Sequence, residues 1–156
     1  YGPLKGYKRD VYEGGIRVPM IAWMPEKIVA GKTTDLVSAF WDIMPTMADL
    51  IGCNLPKTDG VSLLPTLFAK GEQEQHEYLY WEFHELGGRQ ALRRGDWKII
   101  RQPIKDAEKT SVELYNLADD IHEDENLSEK YPDKLKELEM LLDNARTESS
   151  LFNFGK

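Results

Sequence analysis

Lys8 and Arg9 stand just ahead of a paired glycine, in the run Gly6-Tyr7-Lys8-Arg9-Asp10-Val11-Tyr12-Glu13-Gly14-Gly15-Ile16-Arg17-Val18-Pro19. An ammonium group is a compact cation suited to holding an oxyanion. Paired glycines permit positive φ and close backbone approach, so the side chains around such a bend can converge on a small ligand. The same spacing also describes an ordinary solvated turn, and the residues alone leave both readings open. Glu13 and Arg17 flank the glycines and could pair to fix the bend. Gly14 and Gly15 then serve backbone geometry, and Arg17 would back the site from behind.

His84 is the second residue able to do chemistry, within Trp81-Glu82-Phe83-His84-Glu85-Leu86-Gly87-Gly88. It closes a predicted strand just before a glycine loop, where recognition groups often sit. A partly exposed turn histidine is the other reading. His76 lies in a charged polar stretch and is expected to be inert. The run Asp119-Asp120-Ile121-His122-Glu123-Asp124-Glu125 invites a metal, but calcium loops need alternating carboxylates and a glycine at the sharp turn. A solvated acidic turn is expected instead, and no metal ligand is assigned. Cys53 has no cationic neighbour to activate it and reads as a structural thiol.

The elements that must position these residues follow from periodicity. Ile16 to Trp23 reads as a buried strand ended by Met24-Pro25. A helix is expected from about Ser38 to Ile51, stopped by Gly52 and bent or restarted by Pro45. Phe40, Ile43, Met44, Met47, Leu50 and Ile51 recur at helical spacing and are expected to be core. A short helical piece is expected near Leu63 to Phe68. Strands follow at Tyr78–Phe83, Gln90–Arg93, Trp97–Arg101 and Val112–Leu117, with Gly95-Asp96 as a hairpin turn and 102–111 as a mobile link. Pro132 opens a final helix to about Arg146, with Leu135, Leu138, Leu141, Leu142 and Ala145 on one face. The fold class is α+β: about four antiparallel strands packed by a terminal helix.

Composition narrows the function classes. The 156 residues, 41% hydrophobic and 30% charged, suit one modest core. No apolar run approaches the roughly 20 residues of a membrane-spanning helix. Residues 1–32 carry six Lys/Arg against three Asp/Glu, whereas residues 106–148 carry five against fourteen. An acidic chain with net charge −7 is not built for nucleic acid, and the basic end coincides with the Lys8 bend. The acidic half is read as solubilising surface. A single cysteine excludes an internal disulfide and leaves the compartment open.

The Lys8 segment resembles the Gly-x-Lys-x-x-x-x-Glu-Gly-Gly-x-Arg-Val-Pro stretch of the type I sulfatases, the arylsulfatase family within the alkaline-phosphatase superfamily. Three more segments agree in family order: Ser38 to Thr46 with Ala48 to Gly52; Asp59-Gly60-Val61-Ser62-Leu63-Leu64-Pro65; and Gly95-Asp96-Trp97-Lys98 with Glu113 to Leu117, Glu123 and Asn126-Leu127. The proline usual after the aspartate of that last motif is missing here, because Asp120 is followed by Ile121 and His122. The resemblance implies a sulfuric ester hydrolase in which the residue matching Lys8 contacts the sulfate and His84 borders the substrate pocket.

It further implies a formylglycine nucleophile and calcium, both supplied by segments ahead of Tyr1 and neither held by this stretch. Cys53 is followed by Asn54, Leu55 and Pro56, which is not the formylglycine motif. On this reading residues 1–70 are the tail of an α/β catalytic domain and 71–156 a small C-terminal subdomain. The chain would be the C-terminal third of its parent and inactive alone, with possible self-association of the cut piece. Partners would be a sulfated small molecule or sulfated glycan, with no nucleic acid and no membrane, in a periplasmic or secreted setting. Two alternatives are a phosphodiesterase or phosphonate hydrolase of the same superfamily, and a non-catalytic carbohydrate-binding module using aromatic strands such as Tyr78 to Trp81.

Overall fold

The computed structural model describes residues 2–154. The chain forms two compact units: residues up to Val18 together with those from Tyr78 onward, and Pro19–Glu77 between them in sequence. The residues before Pro19 pack with the sheet.

In the first unit four strands form an antiparallel meander in chain order: β1 (Leu79–Phe83), β2 (Arg89–Arg94), β3 (Trp97–Gln102) and β4 (Ser111–Asn116). The expected Gly95-Asp96 turn joins β2 to β3 and sets Arg94 opposite Trp97. Strand alternation sends successive side chains to opposite faces. Leu92, Ile99 and Leu114 form one face, covered by Leu138 and Leu142 of the terminal helix, Pro132–Ala145. Ala91, Ile100 and Tyr115 form the other, covered by Val11 and Leu117 with Tyr12, Trp81, Phe83 and Ile121 beside them. The sequence-derived sheet and helix are therefore present, and the second face is closed by the segment that carries Lys8.

Within that segment lies a single helical turn, α1 (Glu13–Ile16). The strand expected over Ile16 to Trp23 does not form. Residues 17–24 have no regular structure, and Val18, Ile21 and Trp23 are 75%, 94% and 83% exposed. A strand needs a ladder partner for its backbone groups, and the four-stranded sheet does not extend to them.

The second unit holds a 3₁₀ turn (Phe40–Asp42) leading into α2 (Ile43–Ile51), and α3 (Leu64–Leu67). Pro45 falls in the first turn of α2, where its missing N–H costs nothing, so the helix restarts rather than bends. Gly52 ends it in the left-handed conformation at φ 70°. The expected core face is not core: Phe40 and Ile51 are 85% and 71% exposed, and Met44 and Met47 are about half exposed. The buried side is polar. Asp42 accepts the backbone N–H groups of Ala39 (2.7 Å) and Val61 (3.0 Å) and pairs with His76 Nε2 at 2.9 Å. Thr46 donates to the Asp42 carbonyl (2.6 Å) and accepts from Leu63 N–H (2.9 Å). His76, expected to be inert, is thus a buried partner of this hub.

Candidate functional site

Lys8 sits at the tip of a tight turn. Asp10 N–H donates to the Tyr7 carbonyl (2.8 Å), and Tyr7 N–H donates to Asp10 Oδ2 (3.1 Å). Arg9 takes the left-handed conformation, φ 79°. Arg89 of β2 donates to the Arg9 carbonyl at 2.9 Å and pairs with Asp10. The turn is held by these bonds, and the Lys8 side chain is exposed with no hydrogen bond or ion pair to any described residue. Beside it lies a depression of about 360 Å³ lined by Lys8, Arg9, Gly15, Trp81, Phe83 and Glu85, among others.

The glycine pair works through close approach rather than positive φ. A Cβ at Gly14 would lie within 2.7 Å of the carbonyl oxygens of Leu4, Lys5 and Gly6, and one at Gly15 would clash with the Asp10 carbonyl. Gly14 N–H donates to the Lys5 carbonyl at 2.7 Å, closing the Lys8-bearing loop on itself. Any larger residue would force that loop open.

Beneath the glycines Glu13 and Arg17 pair at 2.6 Å, but Glu13 also meets a cation that the sequence reading did not single out. Lys98, fully buried on β3, donates to Glu13 Oε1 at 2.9 Å and lies 2.9 Å from Oε1 of Glu123, itself fully buried. Glu13 N–H donates to Glu123 Oε2 at 2.6 Å. Burial alone would raise the Glu13 carboxyl, but Lys98 and Arg17 outweigh it and hold Glu13 below the ordinary value of 4.5. For Glu123 burial prevails over the pull of Lys98, and its carboxyl is raised. The expected solvated acidic turn is therefore only partly so. Asp120 accepts Glu125 N–H at 2.9 Å at the surface, while Glu123 points inward.

A second polar group adjoins this one. Tyr12 and Tyr115 both donate to Glu113 Oε2, at 2.6 and 2.7 Å, and Lys5 reaches the Tyr115 hydroxyl (3.1 Å) and the Glu123 carbonyl (2.9 Å). Burial and then the Glu113 carboxylate raise both phenols, so they remain donors throughout the accessible pH range.

His84 is placed differently. Its ring stacks on Phe154 at 4.3 Å, with Nε2 2.8 Å from Glu82 Oε1 and Nδ1 3.2 Å from the Asn153 carbonyl. Glu82 in turn accepts from Tyr80 (2.7 Å) and Arg146 (2.9 Å). The depression around His84 shares Glu82, Phe83 and Glu85 with the one beside Lys8, so the two residues lie on adjoining surface at the end of β1. Of the residues expected at the site, Lys8, Glu13, Gly14, Gly15 and Arg17 form one assembly, and His84 borders it.

Lys98, Glu123, Glu113 and Tyr115 stood in the sequence only as parts of motifs, with no role at the site. Lys98 had a signal: alternation along β3 places it on the same face as Ile100. Glu123 matched the family motif, but nothing set it apart as a buried partner among six other residues of which four are acidic. The described residues contain no group of three or more His, Cys, Asp or Glu that could hold a metal, and Cys53 is exposed. Among the described residues neither calcium nor a formylglycine fits the side chains present.

Comparison with known proteins places this assembly in context. The family model for the C-terminal part of N-sulphoglucosamine sulphohydrolase matches residues 6–148. Human steryl-sulfatase is 43% identical over 82 residues, covering 51% of this chain and 14% of that protein. The uncharacterized sulfatase YdeN of Escherichia coli K12 is 42% identical over 83 residues, covering 51% and 15%. Among solved structures, BT4656 in complex with its substrate D-glucosamine-2-N,6-O-disulfate superposes with a TM-score of 0.64 at 27% identity, covering 78% of this chain and 26% of that one. The chain spans about a seventh of the length of these two sulfatase relatives. With four ordered motifs, the sheet-and-helix unit and a match over nearly its whole length, the chain belongs to the C-terminal family of the N-sulphoglucosamine sulphohydrolase-type sulfatases.

Proposed function

We propose that the protein carrying this chain hydrolyses sulfate esters, and that Lys8 supplies a cation to the sulfate group. The observation that carries this is an exposed ammonium with no counter-ion among the described residues, on a hydrogen-bonded turn, at the position that the family resemblance gives to sulfate contact. Its role is to neutralise a substrate oxygen as charge develops during S–O cleavage, where preorganised charge contributes on the order of 3 kcal/mol. Arg17 supports this from behind through Glu13, and His84 with Glu82 borders the space for the remainder of the substrate. A sulfated glycan is the favoured substrate class, with a sulfated small molecule as the other. BT4656 was solved with a disulfated glucosamine, and Ps i-CgsB, similar at a TM-score of 0.76 and 26% identity over 92% of this chain, with a neocarrahexaose.

Residues 1–70 are assigned to the tail of the catalytic domain and 71–156 to the C-terminal subdomain of the complete protein. The nucleophile and the calcium ligands belong to segments outside this chain, so the isolated piece should be inactive. The exposed Phe40, Met44, Met47 and Ile51 support that assignment, since this apolar face suits burial against the rest of a catalytic domain. Left uncovered, it would favour self-association. A periplasmic or secreted location goes with the family; no helix among the described residues is long and apolar enough to cross a membrane.

The test is an assay of the complete protein on matched sulfate esters, phosphodiesters and phosphonate monoesters, together with binding of sulfated and unsulfated glycans to the isolated chain. Turnover confined to sulfate esters is expected. Preference for a phosphorus ester, or tight glycan binding by the chain without turnover by the complete protein, would replace this reading with one of its alternatives.

A further inference from the structure

Lys98 and Glu123 do more than join the sheet to its covering segment. The two ends of the loop that carries Lys8 are anchored on one residue: Lys5 Nζ donates to the Glu123 carbonyl at 2.9 Å, and Glu13 N–H donates to the Glu123 carboxylate at 2.6 Å. Glu123 itself is held in the left-handed conformation at φ 58°, an arrangement disfavoured for a residue with a side chain, and it faces this loop with both its acceptor groups. Lys98 completes the anchor. Its ammonium reaches the Glu13 and Glu123 carboxylates from the middle of β3, at 2.9 Å to each, with no exposure to solvent.

Stability alone gives a weak reason for such an arrangement, because a buried ion cluster can often be replaced by apolar groups at little cost. What an apolar replacement would lose is direction. Apolar contacts tolerate sliding, whereas two carboxylates on one ammonium fix three segments in a single register.

We infer that Lys98 and Glu123 are positioning residues for sulfate ester hydrolysis: they set where the Lys8 ammonium stands, without touching substrate themselves. The inference rests on the reading of Lys8 as the sulfate contact. A displacement near 1 Å in such a group can lower catalysis by roughly 10²-fold.

The test is a double-mutant cycle in the complete protein, with kcat and KM measured on one sulfate ester well below the melting temperature of every variant. Lys98→Met is expected to lower kcat/KM by roughly 10²-fold in the wild-type background, dividing the loss between kcat and KM as Lys8→Ala does. In the Lys8→Ala background the same change should cost less than about threefold, because the group it positions is gone. Equal losses in both backgrounds would overturn the inference while leaving Lys8 as the sulfate contact. Wild-type turnover by Lys8→Ala alone would instead remove the reading beneath it. Should Lys98→Met fail to fold, Glu123→Gln decides by the same cycle. It keeps an acceptor for Glu13 N–H and leaves Lys98 paired with Glu13, and a loss that disappears in the Lys8→Ala background is again the supporting result.

Discussion

The sheet unit and the 19–77 unit solve the same problem in opposite ways. In the sheet unit both faces are covered from within the chain: Leu138 and Leu142 close one, and Val11 and Leu117 close the other. In the 19–77 unit the buried residues of the long helix are Thr46 and Ala48, and the helix is tied down through Asp42, while Phe40 and Ile51 stand in solvent. One unit carries its own apolar core, and the other is ordered by a polar hub with its apolar side unused. Lys8 belongs to the first, so the turn proposed to present a cation to the sulfate stands on a packed core.

The largest effects should fall on the buried ions of the sheet unit. Lys98→Ala leaves two buried carboxylates without their shared cation and is expected to cost about 3–5 kcal/mol in urea unfolding of that unit. Leu138→Ala should cost about 2–5 kcal/mol in the same experiment by opening a cavity under the helix. Neither change should alter hydrogen-exchange protection of α2. If both units lose protection together, the division into two independently held units is wrong.

Acid should separate the units as well. Glu13 has its carboxyl depressed in the folded state, so its contribution is present above 4.5 and is lost as pH falls through the lower folded value. Glu123, raised in the folded state, works in the opposite sense and is favoured below 4.5. Glu13→Gln should therefore flatten the loss of sheet-unit stability below pH 4.5, and an unchanged acid limb would remove Glu13 from the account.

Smaller changes are expected in the 19–77 unit. His76→Ala removes one of three partners of the buried Asp42 and should cost about 1–3 kcal/mol, read as lost exchange protection in α2 with the sheet unchanged. Ile51→Lys, on the exposed face, should shift stability of the isolated chain by no more than about 0.5 kcal/mol. A large loss from that substitution would mean that the face is already in use.

Periodicity carried the sheet unit well because its elements bury one stripe each. The alternation of Trp97 to Gln102 and the spacing of Leu135, Leu138 and Leu142 are local patterns with local causes. Periodicity failed at Ile16 to Trp23 and on the face of α2, where apolar spacing was taken for burial although most of those side chains stand exposed and none is buried. At the site, Lys8 and the glycines were visible because the motif is contiguous. The pairing of the buried partners was not, since Lys98 and Glu123 meet Glu13 only after β3 and the turn beyond β4 fold across it. The glycine pair was read for positive φ and for close backbone approach, and its constraint is the second, contact with carbonyl groups several residues earlier in the chain.

The Lys8→Ala substitution in the complete protein tests the central claim most directly, by kcat/KM on a sulfate ester beside thermal unfolding of the same sample. Because the side chain is exposed and makes no hydrogen bond or ion pair to a described residue, turnover should fall by about 10²–10³-fold with stability changed by no more than about 0.5 kcal/mol. Turnover equal to that of the unmodified protein, at unchanged stability, would contradict the account.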